Sequence, residues 1–355
     1  MIPILKPILP ISLLLFFTLV CGPKRVERYY PNADMKLEYA MKDNDVDLAK
    51  EAIKEGANLN PVTKELMGYT PLNYAAALGE VDIVKLLLES GANPNLGDVY
   101  GKTPIMSAAS LGNSDVPLGT YFEIITLLIE KGADPNASMT HHVGSNGKLV
   151  KGNGKNALIM LLPGSPTYRA KERMNILKLL VEKGAKLDVI DIWGETPVGE
   201  AIFSQNFEAA KFLLEKGANP NLARELERSA NTSLIRVARY REKEEILPFL
   251  KLLLQYKADI NGRDKYGETA LISLAWNNRI EEAKFLLENG ADIHAKTIYG
   301  DTALHRAAQQ GFADMVKLLL DHKANPKIKD KDGRTPLAVA KSFEHTKVID
   351  LLKAY

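Results

Sequence analysis

Apolar positions along most of the chain fall into pairs of short blocks. Between Gly68 and Asn95 the sequence reads GYTPLNYAAALGEVDIVKLLLESGANPN. A first block carries Leu72, Ala75 and Ala76. After Gly79 a second carries Ile83, Leu86 and Leu87 at the 3–4-residue spacing of one helix face. The pattern predicts two short helices per unit, the second stopped by Gly91, then a polar connection. The same alternation returns at residues 101–136, 194–221, 267–294, 300–327 and from 333 to 355, with weaker copies at 33–60, 154–188 and 230–261. The unit threonines keep time: Thr70 to Thr103, Thr269 to Thr302 and Thr302 to Thr335 are each 33 residues. The prediction is an all-α repeat fold of about nine helix–turn–helix units over residues 33–355. No such unit buries its apolar face alone, so stacking has to supply the core.

Each part of the unit has a mechanical reason. Threonine before Pro-Leu is a natural N-cap and leaves proline in the first turn, where a missing N–H costs nothing. The small pairs Ala75-Ala76 and Ala307-Ala308 let neighbouring helices approach. Terminal glycines such as Gly91 and Gly290 suit a left-handed C-cap, and Lys257 stands in that place in the sixth unit. The connection that follows, Ala-Asn/Asp-Pro-Asn, leads into a hairpin-like finger. With its period and its TPLHxA-type start (Thr302 to Ala307 is TALHRA), the unit resembles the ankyrin repeat. The resemblance implies a solenoid whose fingers and inner helices line a concave binding face. It gives His305 a structural hydrogen bond between repeats.

Insertions interrupt the middle of the array. A regular copy runs 21 residues from Thr70 to Gly91, but Thr103 to Gly132 spans 29, Asn156 to Gly184 spans 28 and Thr232 to Lys257 spans 25. The connection from Gly132 to Asn156 spans 24 residues where a regular one has 12. The long finger this predicts (insertion 137–152, the finger running on to Lys155) carries His141, His142, Lys148, Lys151 and Lys155 and no acid. It reads either as a solvated loop or as a basic element facing an acidic partner surface. Adjacent His141 and His142 lack further ligands at spacing, so no metal site is expected.

The N-terminus follows different rules. Its longest apolar run, Ile11 to Val20, is half the length of a membrane span and fits the core of an export signal. Cys21, followed by Gly22, closes it. This resembles a bacterial lipoprotein signal, with Val20 where that pattern has a small residue. It implies removal of residues 1–20, lipidation of Cys21, a tether over residues 21–32 and a place in the cell envelope, on the periplasmic or the surface side. An uncleaved signal anchor is the other reading.

Composition narrows the function. Lys+Arg of 46 against Asp+Glu of 44 gives a formal charge of +2, with no global electrostatic reason to bind nucleic acid. A single cysteine excludes internal disulfides and multi-cysteine zinc sites. No nucleophile, metalloprotease or dinucleotide motif is present, so neither an enzyme nor a cofactor is expected. The expectation is a non-catalytic scaffold that binds an unidentified protein. The alternative is an accessory protein that binds a small molecule or assists a periplasmic enzyme. The family resemblance places Tyr100, Trp193, Tyr266 and Tyr299 before the finger glycines, and Phe203, Tyr240 and Trp276 after the inner-helix small pair. All are candidate partner contacts, because Trp and Tyr dominate binding hot spots. The tyrosines have a second reading, in which they only shape the finger.

Overall fold

The computed structural model describes residues 29–139, 141–143, 149–151, 153–164, 167–222, 232–239 and 246–355. Helices follow one another in pairs: α1/α2 (Ala33–Asp43, Val46–Lys54), α3/α4 (Pro71–Leu78, Val81–Glu89) and α5/α6 (Pro104–Ala109, Thr120–Glu130). After two short strands, β1 (His141–Val143) and β2 (Leu149–Lys151), come α7/α8 (Ala157–Leu161, Ala170–Glu182), α9/α10 (Pro197–Phe203, Phe207–Glu215) and α11/α12 (Ser233–Ala238, Leu247–Gln255). The last pairs are α13/α14 (Ala270–Trp276, Ile280–Glu288), α15/α16 (Ala303–Gln310, Ala313–Asp321) and α17/α18 (Pro336–Ser342, Thr346–Lys353).

The first helix of each pair packs on the first helix of the next, giving a continuous inner row from α1 to α17. The second helices form an outer layer. One contiguous apolar core, from Leu37 to Leu352, runs between the layers. The caps work as the residue types dictate. Thr70 accepts from the Asn73 N–H (3.1 Å) and Thr196 from the Gly199 N–H (3.0 Å). Asn156, replacing threonine in the fourth unit, accepts from the Ile159 N–H at 3.0 Å. Thr103 departs: its buried hydroxyl makes no cap bond. Gly91 and Gly290 take left-handed φ values of 93° and 92°, and Lys257 and Lys323 are forced into the same region at 61° and 69°.

Stacking on the finger edge is bonded by a recurring asparagine. Asn95 accepts from the Asp134 N–H (2.7 Å) and donates to the Gly132 carbonyl (2.8 Å). Asn136 does the same with Lys186 and Gly184, and Asn221 with Asp259 and Lys257. Each therefore satisfies groups at the helix end of the following unit, where the last carbonyls have no partner of their own.

Part of the inserted finger forms a two-stranded ladder. β1 and β2 pair antiparallel, with His141 opposite Lys151 and His142 opposite Val150. A separate isolated bridge pairs Ser138 with Asn156 at the base of the finger. Lys148 lies outside the described residues, as do Cys21, Tyr240 and the whole N-terminal signal.

Candidate interaction face

The finger tips are built by one carboxylate each. Asp98, two residues before Tyr100, accepts from the backbone N–H of Tyr100 (2.8 Å) and of Lys102 (2.9 Å). Asp191 holds Trp193 and Glu195 in the same way, Asp264 holds Tyr266 and Glu268, and Asp330 holds Asp332 and Arg334. At Tyr299 the hydroxyl of Thr297 substitutes. Neighbouring tips are then joined by backbone bonds, the Ile298 N–H donating to the Tyr266 carbonyl (2.7 Å) and the Lys331 N–H to the Tyr299 carbonyl (2.9 Å). These residues shape the finger through their main chain. Their rings stay out of the core: Tyr100, Trp193, Tyr266 and Tyr299 are 42 to 55% exposed. Tyr266 lies against Lys265, whose ammonium is 4.7 Å from the ring centre.

Inner-helix residues complete the face by a rule that spans two units. Phe203 and Trp276 both stand seven residues after their unit's capping threonine. Arg236 and Arg306 both stand four residues after the capping threonine of the next unit. Stacking brings the pairs together: the Arg236 guanidinium lies 5.0 Å from the Phe203 ring centre and that of Arg306 lies 5.3 Å from the Trp276 ring centre. Each arginine is also pinned by an acid next to a threonine cap, Arg236 by Glu195 and Arg306 by Asp301 at 3.2 Å. Arg239 bridges Asp264 (2.5 Å) and Glu268 (2.9 Å). Trp276 is half-buried, while Phe203, with an arginine equally close, remains 58% exposed. The arginines and acids were not among the sequence candidates. Their signal, an arginine one unit further on and three residues short of the aromatic position, is visible only once unit boundaries are fixed.

Lys155 also changes character. Its ammonium sits 5.3 Å from the Trp193 ring centre and 4.0 Å from the Asp191 carboxylate, so it braces a fingertip at the base of the hairpin. Burial pushes the carboxyl of neighbouring Glu200 upward from its usual value. His305 fills its structural place. Its Nδ1 accepts from the Thr302 N–H (3.2 Å) in a capping box, and its Nε2 meets the Arg334 carbonyl (3.1 Å) in the next unit. Among the described residues no group of His, Cys, Asp or Glu is placed to hold a metal ion, and no helix is long and apolar enough to cross a membrane.

Family models agree with this geometry. A three-copy ankyrin-repeat model matches residues 37–139 and 294–355, and many-copy ankyrin models match 167–214 and 253–307. The chain belongs to the ankyrin-repeat proteins. Its ankyrin array is similar to part of the 2-5A-dependent ribonuclease of Homo sapiens, 42% identical over 74 residues (21% of this chain, 10% of that protein). It is 25% identical over 190 residues to a human transient receptor potential cation channel, subfamily A member 1, covering 54% of this chain and 15% of the channel. An ankyrin repeat protein of Monkeypox virus is 38% identical over 77 residues, 21% of this chain and 13% of that protein. The chain thus spans 10 to 15% of the length of these relatives.

Proposed function

We propose that the array is a protein-binding scaffold whose contact surface is the finger and inner-helix face between Lys155 and Arg306. The carrying observation is that five aromatic side chains (Trp193, Phe203, Tyr266, Trp276 and Tyr299) share this face, and that four of them, all but Tyr299, have a cation set against the ring. Stacking on a pinned cation restricts ring motion, so less rotamer entropy is lost on association. The arginines on the inner helices are paired with acids. The face therefore offers apolar and hydrogen-bonding surface with little net charge, and suits a folded or extended protein segment better than a polyanion. Tyr100 extends this surface toward the N-terminus.

Export and tethering complete the reading. The apolar run closing at Cys21 supports a signal peptide, lipidation of Cys21 and display of the array in a bacterial cell envelope. Metabolic lipid labelling of the wild type and of Cys21→Ala separates a lipid anchor from a signal anchor, since equal labelling of the two excludes the former. For the face itself, affinity capture with Trp193→Ala/Phe203→Ala is decisive. The double variant is expected to lose a specifically retained protein, with at least about a tenfold drop in affinity, the scale of a hot-spot truncation, and an unchanged melting temperature. Retention equal to wild type removes this face from consideration.

A further inference from the structure

The outer layer is not uniformly closed. α8 is bonded to the preceding unit, where the Arg169–Glu172 pair holds the loop before α6, but among the described residues no hydrogen bond or ion pair joins α8 to α10. A groove of about 560 Å³ separates those two helices. Its size falls within the range of about 300–1,000 Å³ typical of small-molecule sites. The apolar lining comes from Leu161, Leu162, Met174, Leu177, Phe207 and Phe212.

The polar groups in this groove are donors in excess. Arg173, buried at 8% exposure, gives its guanidinium to the carbonyls of Leu161, Pro163 (2.9 Å) and Tyr168 (3.1 Å) and meets no carboxylate. Gln205 lines the same groove, and its buried amide Nε2 has no hydrogen-bond partner. Exposed Lys171, Lys178 and Lys211 stand around the opening, against Glu208 and Glu215, and Glu215 is already within 3.9 Å of Lys211. An apolar slot with a buried guanidinium whose hydrogen bonds go to carbonyls, and whose neighbouring acid Glu172 is already paired with Arg169, favours an anion that also carries apolar surface. A second groove of about 580 Å³ lies between α6 and α8 and does not share this property, because its two buried charges, Arg169 and Glu172, are each other's partners at 2.7 Å.

We infer that the α8–α10 groove is a binding site for an anionic amphiphile, specifically a long-chain fatty carboxylate. The hydrocarbon chain lies along Leu177, Phe207 and Phe212, and the carboxylate takes the donors of Arg173 and Gln205 with the lysines nearby. The site is on the outer layer, apart from the finger face, so it stands or falls independently of the protein-binding reading.

The test is displacement of cis-parinarate, a fluorescent long-chain polyene carboxylate, from the purified full-length chain. Hexadecanoate is expected to displace it, with hexadecanol about tenfold weaker for want of the charge-assisted bonds. Lys178→Glu/Lys211→Glu, both on exposed positions, is expected to weaken hexadecanoate about tenfold, whereas Lys284→Glu/Lys317→Glu on other outer helices is expected to leave it unchanged. Gln205→Leu is expected to reduce the preference for the acid over the alcohol. Equal displacement by acid and alcohol, indifference to the Lys178/Lys211 reversal, or absence of parinarate binding would each overturn the assignment.

Discussion

The units from Asp264 to the C-terminus and the stretch from Ser110 to Glu182 solve the same stacking problem by different means. In the former, spacing is constant and each bond recurs: a threonine cap, an aspartate or threonine under the fingertip, a backbone bond to the next finger. In the latter, the loop between α5 and α6 is longer and is held by residues that occur once. Arg169, itself at a left-handed φ of 50°, donates to the carbonyls of Ser114 (3.2 Å), Val116 (2.5 Å) and Pro117 (3.3 Å). Glu172 accepts from the backbone N–H groups of Gly119 and Tyr121, and the Tyr121 hydroxyl donates to the Ala77 carbonyl. The inserted loop thus carries its unmet backbone groups to side chains of the following unit. Long loops are cheap in entropy but not in unpaired polar groups. The finger edge of the same units carries its own insertion, yet the Asn136 bonds to Lys186 and Gly184 in the next unit are kept, so the inserted residues leave the stacking contact intact.

The contrast can be broken most forcefully at Glu172. It is buried beside Arg169, so Glu172→Ala leaves an unpaired charge and two orphaned N–H groups. A loss of about 3–5 kcal/mol is expected in denaturant unfolding, concentrated in an early transition of the central units because the array couples only neighbours. A loss below about 1 kcal/mol would show that the loop is not held this way.

A smaller effect tests the regular units against the neighbouring sixth unit, which carries a loop insertion of its own. Lys257 and Lys323 occupy left-handed positions that glycine fills in other units. Lys257→Gly and Lys323→Gly are each expected to stabilise the chain by about 1 kcal/mol, read as a raised denaturation midpoint. Unequal gains would mean that the sixth unit imposes strain of its own on the left-handed position.

A last effect is on pH dependence, and its sign differs between two sites. Burial lowers the His305 pKa below 6.5, so its neutral form is favoured in the fold; the contribution is complete above about 6.5 and is lost as pH falls. Burial raises the Glu80 carboxyl to about 7 from 4.5, beside Gly79, which faces the irregular loop at Val116 and Thr120. That contribution is complete below about 4.5 and is lost as pH rises through about 7. Melting temperature against pH for His305→Gln is expected to lose the decline on the acid side, and for Glu80→Gln the decline between pH 4.5 and 7. An unchanged profile in either variant counts against burial as the cause at that residue.

Much of this was legible in the chain itself. Short-range patterns (Thr70-Pro71, Ala75-Ala76, Ile83 with Leu86 and Leu87, Gly91) determine helix pairs, caps and stops because each acts within one or two turns. Identical units have one economical way to bury their faces, so the solenoid follows. The positions of Trp193 and Phe203 on the finger and inner helix followed from the family resemblance once the unit boundaries were read. Bonds between residues far apart in sequence were not legible. Arg236 over Phe203, Lys155 over Trp193, Arg169 reaching back some 53 residues to Val116, and the groove between α8 and α10 arise only when units are stacked in register. The sequence alone determined what each unit is. The tertiary structure decided which side chains of different units meet, because a contact across a stacking interface is set by distances between elements that local pattern does not encode.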